Sequence, residues 1–231
     1  MLYLDHITVA VRNLQDTVNN IQKATGIVFS DPVIPFPGTI GQVAYLGTGF
    51  IELISLVDAN VARTSPLGAA FASYAEQREG IFGVAWEVTG GMQAFVDEAS
   101  SRDVAYIGPT IQQAPLKEGS YIEFKTAFLG FHMPWLIEYE RSRTWPSPYH
   151  LTGVEFNTKD MERDVSAYIA AYNLDAPELA SGHERVFKLE RGWLSLHETA
   201  NPAQVGFHTI VIEKEDAAYR LHCTNDGIQI H

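Results

Sequence analysis

One order of elements recurs along this chain, and no other feature limits the fold as tightly. The stretch "LDHITVAV" (residues 4–11) alternates as a half-buried strand does. "NLQDTVNNIQKATG" follows, with Leu14, Val18 and Ile21 at helical spacing, Asn13 as N-cap, Asp16 in the first turn and Gly26 as the stop. "IVFSDPV", "QVAYLG" and "FIELISL" then read as three strands, which closes one β-α-β-β-β unit near Val57. The order starts again at "IFGVAWEV" (residues 81–88). It passes through a helix in "GGMQAFVDEASSRD", with Met92, Phe95, Val96 and Ala99 on one face, and ends in the strands "VAYIGPT", "YIEFKTAFLG" and "PWLIEYE". Local echoes support a duplication: "VAYLG" before "FIEL", then "TAFLG" before "WLIEY".

A Pro- and Ser-containing linker, "RSRTWPSPYH", precedes a third round. There "LTGVEFNT" is a strand and "DMERDVSAYIAAYNL" a helix capped by Asp160, with Val165, Ile169 and Tyr172 inward. "RVFKLERG" and "WLSLHE" close the round, which lacks its second strand, and a fourth opens at "GFHTIVIEKED" and stops early at "GIQIH". Each unit covers one face of a small sheet with a helix and leaves the other open, so two units side by side share a cleft. The sequence thus predicts an α+β chain of tandem βαβββ units, paired into a curved, cleft-forming mixed sheet with helices on the outside. Residues 1–140 form the two paired units, 141–149 the linker, and 150–231 the third unit with a truncated fourth.

Superposing the first strands brings His6, Gly83, Gly153 and His208 into register, and the helix starts at Asn13, Gly90, Asp160 and Glu215 agree. Superposing the last strands aligns Glu52, Glu138 and Ser195. Strand side chains alternate faces. Ile7, Val9 and Val11 therefore pack beneath the helix, while Leu4, His6, Thr8 and Ala10 face the cleft. Phe50, Glu52 and Ile54 face it too, as do Leu136, Glu138 and Glu140. One imidazole and two carboxylates thereby point into one concavity. Carboxylates flanked by Ile, Leu and Phe are costly to desolvate, and a divalent cation removes that cost. Without a cation, one of them must be protonated or meet a donor such as Lys125 or His132. Imidazole with two carboxylates suits Zn, Mn, Fe, Co or Ni, and three protein ligands with open positions is a catalytic pattern.

In their order and spacing, "LDHITVAV", "GTGFIELI" and "MPWLIEYE" resemble the vicinal oxygen chelate superfamily, and within it the glyoxalase-like domain proteins. The resemblance covers residues 4–140. It implies that His6, Glu52 and Glu138 sit at ligand positions for a divalent metal (Zn, Mn, Ni or Fe), with Gly83 at a fourth position that offers no donor. The glyoxalase-like group also carries a His before the Gly-Thr of the third strand, where this chain has "FPGTIGQ". The implied activity is that of a lyase, isomerase or dioxygenase on a small oxygenated organic molecule. The metal would polarise a carbonyl or enediolate oxygen, and Glu138, or His132 in "GFHMPW", would move the proton. Units of the superfamily often pair between chains, which implies a homodimer. The alternative, favoured by Gly83, is a metal-free small-molecule binding protein with the same cleft.

The formal net charge of −12 repels phosphate backbones and anionic lipid, so neither nucleic acid nor membrane is expected as a partner. Cys223 is the single cysteine, which leaves no intrachain disulfide and no thiolate cluster. The first residues lack a leader pattern, and no run approaches the roughly 18 apolar residues of a membrane helix. A reduced cytoplasmic compartment is the expectation. Plainer roles stand beside the chemical ones. His6 serves equally as a core histidine donating to a carbonyl, and His132 as a surface-loop residue. His208 faces only Ser195 and reads as structural, and Glu87, Tyr121 and Glu123 read as solvated. "GTIGQ" lacks the P-loop lysine and is a turn, and no Ser-His-Asp order or G-x-S-x-G occurs.

Overall fold

In the computed structural model, which describes residues 1–115, 121–130, 133–140, 143–215, 217–225 and 227–231, strand β1 (Leu2–Ala10) leads into helix α1 (Leu14–Thr25). The helix starts and stops for the reasons its sequence supplies. Asn13 Oδ1 accepts the Asp16 N–H at 3.2 Å, and Gly26 leaves the last turn in the left-handed region at φ 77. Leu14, Val18 and Ile21 are buried. β2 (Thr39–Leu46) and β3 (Gly49–Leu56) complete the first round. The expected strand at "IVFSDPV" does not form. Pro32 cannot donate to a ladder, and the segment is tied to β2 by an isolated bridge between Val33 and Gly41 and by the Ser30 N–H, which donates to Val43 O at 2.8 Å.

Two helices then appear that the strand count passed over, α2 (Ala59–Ala62) and α3 (Pro66–Ala75). Ser65 caps α3 by accepting the Gly68 N–H at 3.1 Å, with Pro66 in the first turn. The second round comprises β4 (Gly80–Val88), α4 (Met92–Ser100), β5 (Ile107–Pro115), β6 (Tyr121–Phe128) and β7 (Trp135–Tyr139). The third comprises β8 (His150–Thr158), α5 (Met161–Tyr172), β9 (Glu178–Ser181), β10 (Glu184–Lys188) and β11 (Trp193–Glu198). β9 is the second strand that the sequence pattern missed. The fourth is β12 (Gly206–Lys214), β13 (Ala217–Thr224) and β14 (Gly227–Ile230). Glu215, expected to start a helix, instead sits in the β12–β13 turn at φ 49.

Among the described residues there are five α-helices and two open seven-stranded sheets, ordered β2-β3-β1-β4-β7-β6-β5 and β14-β13-β12-β8-β11-β10-β9. This is an α+β fold of tandem units. In each of the first three rounds the last strand lies beside the first, giving β1-β3-β2, β4-β7-β6-β5 and β8-β11-β10-β9. The pairs β1–β3 and β4–β7 are parallel. No described helix is long and apolar enough to cross a membrane.

Contacts divide the chain into two units. The first is Met1–Asp5, Val84–Arg143 and Glu155–Gly206, and the second is His6–Gly83, Thr144–Val154 and Phe207–His231. In the first unit Trp86 is fully buried against Tyr172 and Tyr168, with ring centroids at 4.5 and 6.2 Å. The carbonyls that end α5 find donors: Arg102 Nε reaches Ala170 O at 2.8 Å, and the Tyr106 hydroxyl reaches Ala171 O at 3.0 Å. In the second unit Ala10, Ile54, Phe71 and Phe82 form a buried cluster edged by Phe36 and Tyr74. Ile54, expected to face a cleft, is thus covered by α3.

Candidate functional site

β1 and β3 run in parallel with His6 opposite Phe50 and Thr8 opposite Glu52, which places all four side chains on one face of the second unit. The His6 ring lies flat on Phe50, centroids 4.4 Å apart and planes 9° from parallel. Thr8 Oγ1 donates to Glu52 Oε2 at 3.4 Å. Burial holds the Glu52 carboxyl above the usual glutamate range, and the charge of His6 and the Thr8 hydrogen bond offset only part of that rise. Such a carboxyl keeps its proton to higher pH than a free one, and once ionised it is the stronger base.

An aromatic wall continues outward from His6 and Phe50. Trp145 meets Phe50 edge-on at 5.9 Å and stacks on Tyr45 at 4.7 Å. Tyr45 is 45% exposed where His6 is 8% exposed, so the wall runs from solvent to interior. Trp145 comes from the linker, and its backbone N–H donates to Gly47 O at 2.7 Å. Gly47 has φ +67, and a Cβ there would lie 2.6 Å from His150 Nδ1. Only glycine allows that turn and that approach together. Neither Tyr45 nor Trp145 was found from sequence: an aromatic in the Pro- and Ser-containing linker carries no periodicity to place it, and Tyr45 was read only as part of the strand "QVAYLG".

Glu138 belongs to the first unit, where its carboxylate has two donors. The Met92 N–H reaches Oε1 at 3.0 Å and Lys125 Nζ reaches Oε2 at 2.9 Å. α4 has no side-chain bond from its own N-cap, Gly91, so Glu138 serves the helix start from across the chain. The hydrogen bond and charge of Glu138 raise the pKa of Lys125. Glu138→Ala is therefore expected to cost about 1 kcal/mol of stability, the usual value of a lost cap, while Glu138→Gln keeps an acceptor and costs less. Urea unfolding of the two variants checks this; equal stability of Glu138→Ala and wild type would refute the capping role.

Gly83 lies within β4 and brings no donor. His132 lies outside the described residues. Among the described residues, no three His, Cys, Asp or Glu side chains are grouped so as to hold a metal ion. The described residues therefore do not fit a three-ligand metal centre.

A second polar centre, in the first unit, escaped the sequence. Asp5 and Glu87 are buried. The Tyr139 hydroxyl donates to Asp5 Oδ2 at 3.1 Å. The Arg143 guanidinium lies 3.3 Å from the Tyr139 ring centroid, with Nη2 3.8 Å from Asp5 Oδ1. Arg191 Nη2 lies 3.5 Å from Glu87 Oε2, and its guanidinium sits over Tyr3. Burial, then the charge of Asp5, raises the Glu87 pKa, and the two guanidiniums oppose the rise. Glu87, expected to be solvated, is thus part of a buried network in which two carboxylates face two arginines. Its members are spread from Tyr3 to Arg191 over separate strand motifs and the linker, and no single motif brings them together. Tyr121 and Glu123 are exposed, as expected. His208 Nδ1 lies 2.7 Å from Thr209 Oγ1, which is also 3.1 Å from His222 Nδ1, and Ser195 Oγ donates to Glu184 Oε1 at 2.7 Å.

Residues 4–168 match the family model described as a glyoxalase-like domain. A search of curated proteins found no match. Among solved structures, a hypothetical protein from Staphylococcus aureus is similar over 94% of this chain and 93% of its own, with 14% identity and a TM-score of 0.77. A triple mutant of 4-hydroxymandelate synthase from Streptomyces coelicolor is similar over 85% of this chain and 62% of its own, with 14% identity and a TM-score of 0.57. Methylmalonyl-CoA epimerase from Mycobacterium tuberculosis matches over 60% of this chain and 89% of its own, with 18% identity and a TM-score of 0.45. At these identities the first two likenesses show the fold alone.

Proposed function

We propose a function from one premise: the chain belongs to the glyoxalase-like domain family. On that premise the face shared by β1 and β3 is the active site of an isomerase or lyase that moves a proton on a carbon next to a carbonyl. The substrate is a small oxygenated molecule, held against Phe50, Tyr45 and Trp145. The observation that carries this is the pairing of a partly buried carboxyl, Glu52, with a buried imidazole, His6, on adjacent parallel strands.

The roles follow from the groups. Glu52 as carboxylate takes the proton from carbon, and the C–H electron pair becomes the enediol double bond while the carbonyl oxygen takes up charge. His6 in its charged form gives that oxygen a proton. Glu52 then returns its proton to the neighbouring carbon as His6 recovers one from the other oxygen, so the isomerisation balances. The Thr8 hydroxyl holds Oε2 of Glu52 and leaves Oε1 for the substrate. A raised carboxyl pKa suits both halves of the cycle near neutral pH.

Chelator-treated protein in D2O is expected to speed deuterium incorporation into at least one of glycolaldehyde, dihydroxyacetone and 2-hydroxyacetophenone, followed by proton NMR. Exchange no faster than in protein-free solution for all three would overturn the enzymatic role. The aromatic wall also favours a second reading, a metal-free binding protein. Saturable quenching of tryptophan fluorescence by 2-hydroxyacetophenone with no exchange would be its mark.

A further inference from the structure

We infer that the second unit carries a separate site for a small oxyanion, at the C-terminal ends of β1 and β3. A cavity of about 260 Å³ opens there, lined among others by Arg12, Ser55, Arg78 and Glu79. That is several times the ~30 Å³ that one water occupies in the liquid. In a chain of net charge −12, the residues of this lining include two arginines against one glutamate.

The Arg12 backbone and the Arg78 side chain are held in place. The Arg12 N–H donates to Glu79 Oε1 at 2.5 Å, so that carboxylate is engaged by the backbone. Ser55 Oγ bonds the carbonyls of Val11 and Arg12 at 2.7 and 2.9 Å, fixing the same peptide from the other side. The Arg78 guanidinium rests over the Tyr74 ring, 4.5 Å from its centroid. Tyr74 is itself anchored, its hydroxyl donating to Ile81 O at 2.9 Å. Neither guanidinium is ion-paired to a carboxylate among the described residues. Planar, forked guanidinium donors suit two oxygens of one group, as a carboxylate or a phosphate presents, and that of Arg78 is already positioned. The net charge of the lining selects an anion, and the volume limits it to a small one.

Isothermal titration calorimetry of the full chain with inorganic phosphate and, separately, with propionate tests the site. Wild type is expected to bind at least one of them at one equivalent. Arg12→Gln and Arg78→Gln, which remove the positive charge and leave His6 and Glu52 untouched, are each expected to weaken that binding about ten-fold or more, the scale of a lost charge-assisted hydrogen bond. Binding of phosphate alone assigns a phosphoryl group, binding of propionate alone a carboxylate, and binding of both a general oxyanion site. No heat with either anion, or equal affinity in wild type and both variants with unchanged circular dichroism, overturns the inference. The proton-exchange assay reports on the other site, so the two can fail independently.

Discussion

Glu52→Gln is expected to slow proton exchange by about two to four orders of magnitude, the usual share of a general base, and at the same time to make the protein more stable at neutral pH. The second effect follows from the direction of the pKa shift. Below the ordinary glutamate value the carboxyl is protonated in the folded and unfolded chain alike, and burial costs no ionisation. As pH rises from that value towards the raised one, the unfolded chain ionises and the folded chain does not, so stability falls. Above the raised value the loss stays constant. Glutamine does not ionise and escapes it. The variant should therefore match wild type near pH 4, about the ordinary glutamate value, and exceed it at pH 7 in thermal melts. Loss of exchange together with gain of stability separates a chemical role from a structural one, because a residue that merely supports the fold would lose both. Unchanged exchange would sink the acid–base role; unchanged stability at pH 7 would show that burial does not hold the carboxyl up.

The repeat was legible because its signals are local. Asn13, Gly26 and Asp160 act at their own helix ends, as their side chains or backbone dictate. Strand order was legible only through duplication: two rounds with the same echoes take the same order, β1-β3-β2 beside β4-β7-β6-β5. The misses have physical causes. "IVFSDPV" has the apolar content of a strand, and one proline decides against it. α3 was announced by Ser65 and Pro66, but "GAAFASYA" is rich in small residues and presents no clear helical stripe. β9 is exposed along all four residues, so burial left no alternation to read in it.

The candidate site was half legible for a related reason. Periodicity says which residues share a face of one strand, and pairing says which strands are neighbours. His6 and Glu52 needed only those two facts, since β1 and β3 are adjacent within one repeat. The donors to Glu138 are another matter. Lys125 sits opposite it on the neighbouring strand, so its part could be named, whereas the Met92 N–H depends on where α4 begins, a detail that "GGMQ" leaves open. Trp145 and Arg143 come from the linker, where no period exists. Such residues are placed by tertiary contacts alone, through a Gly47 that tolerates close approach and a Tyr139 ring beneath a guanidinium.

Trp86→Ala is expected to destabilise the chain by about 3–5 kcal/mol, the range for deleting a large buried aromatic. The indole is fully buried in the first unit, packed on Tyr172 and Tyr168, and Tyr168 in turn meets Phe187 and Phe156. Truncation leaves a hole bounded by stiff rings that cannot collapse into it, which argues for the upper part of the range. Trp86→Phe is the informative companion. The indole Nε1 is buried with no hydrogen-bond partner among the described residues, and such a donor carries a cost of about 1–3 kcal/mol in the native state. Phenylalanine gives up part of the ring's packing but removes that donor, so the two terms oppose and the net change should be small. Urea unfolding of wild type and both variants measures each difference. If phenylalanine costs as much as alanine, the indole N–H is bonded in solution and the packing account of this core is wrong. If alanine costs less than about 1 kcal/mol, the aromatic cluster does not hold the first unit together.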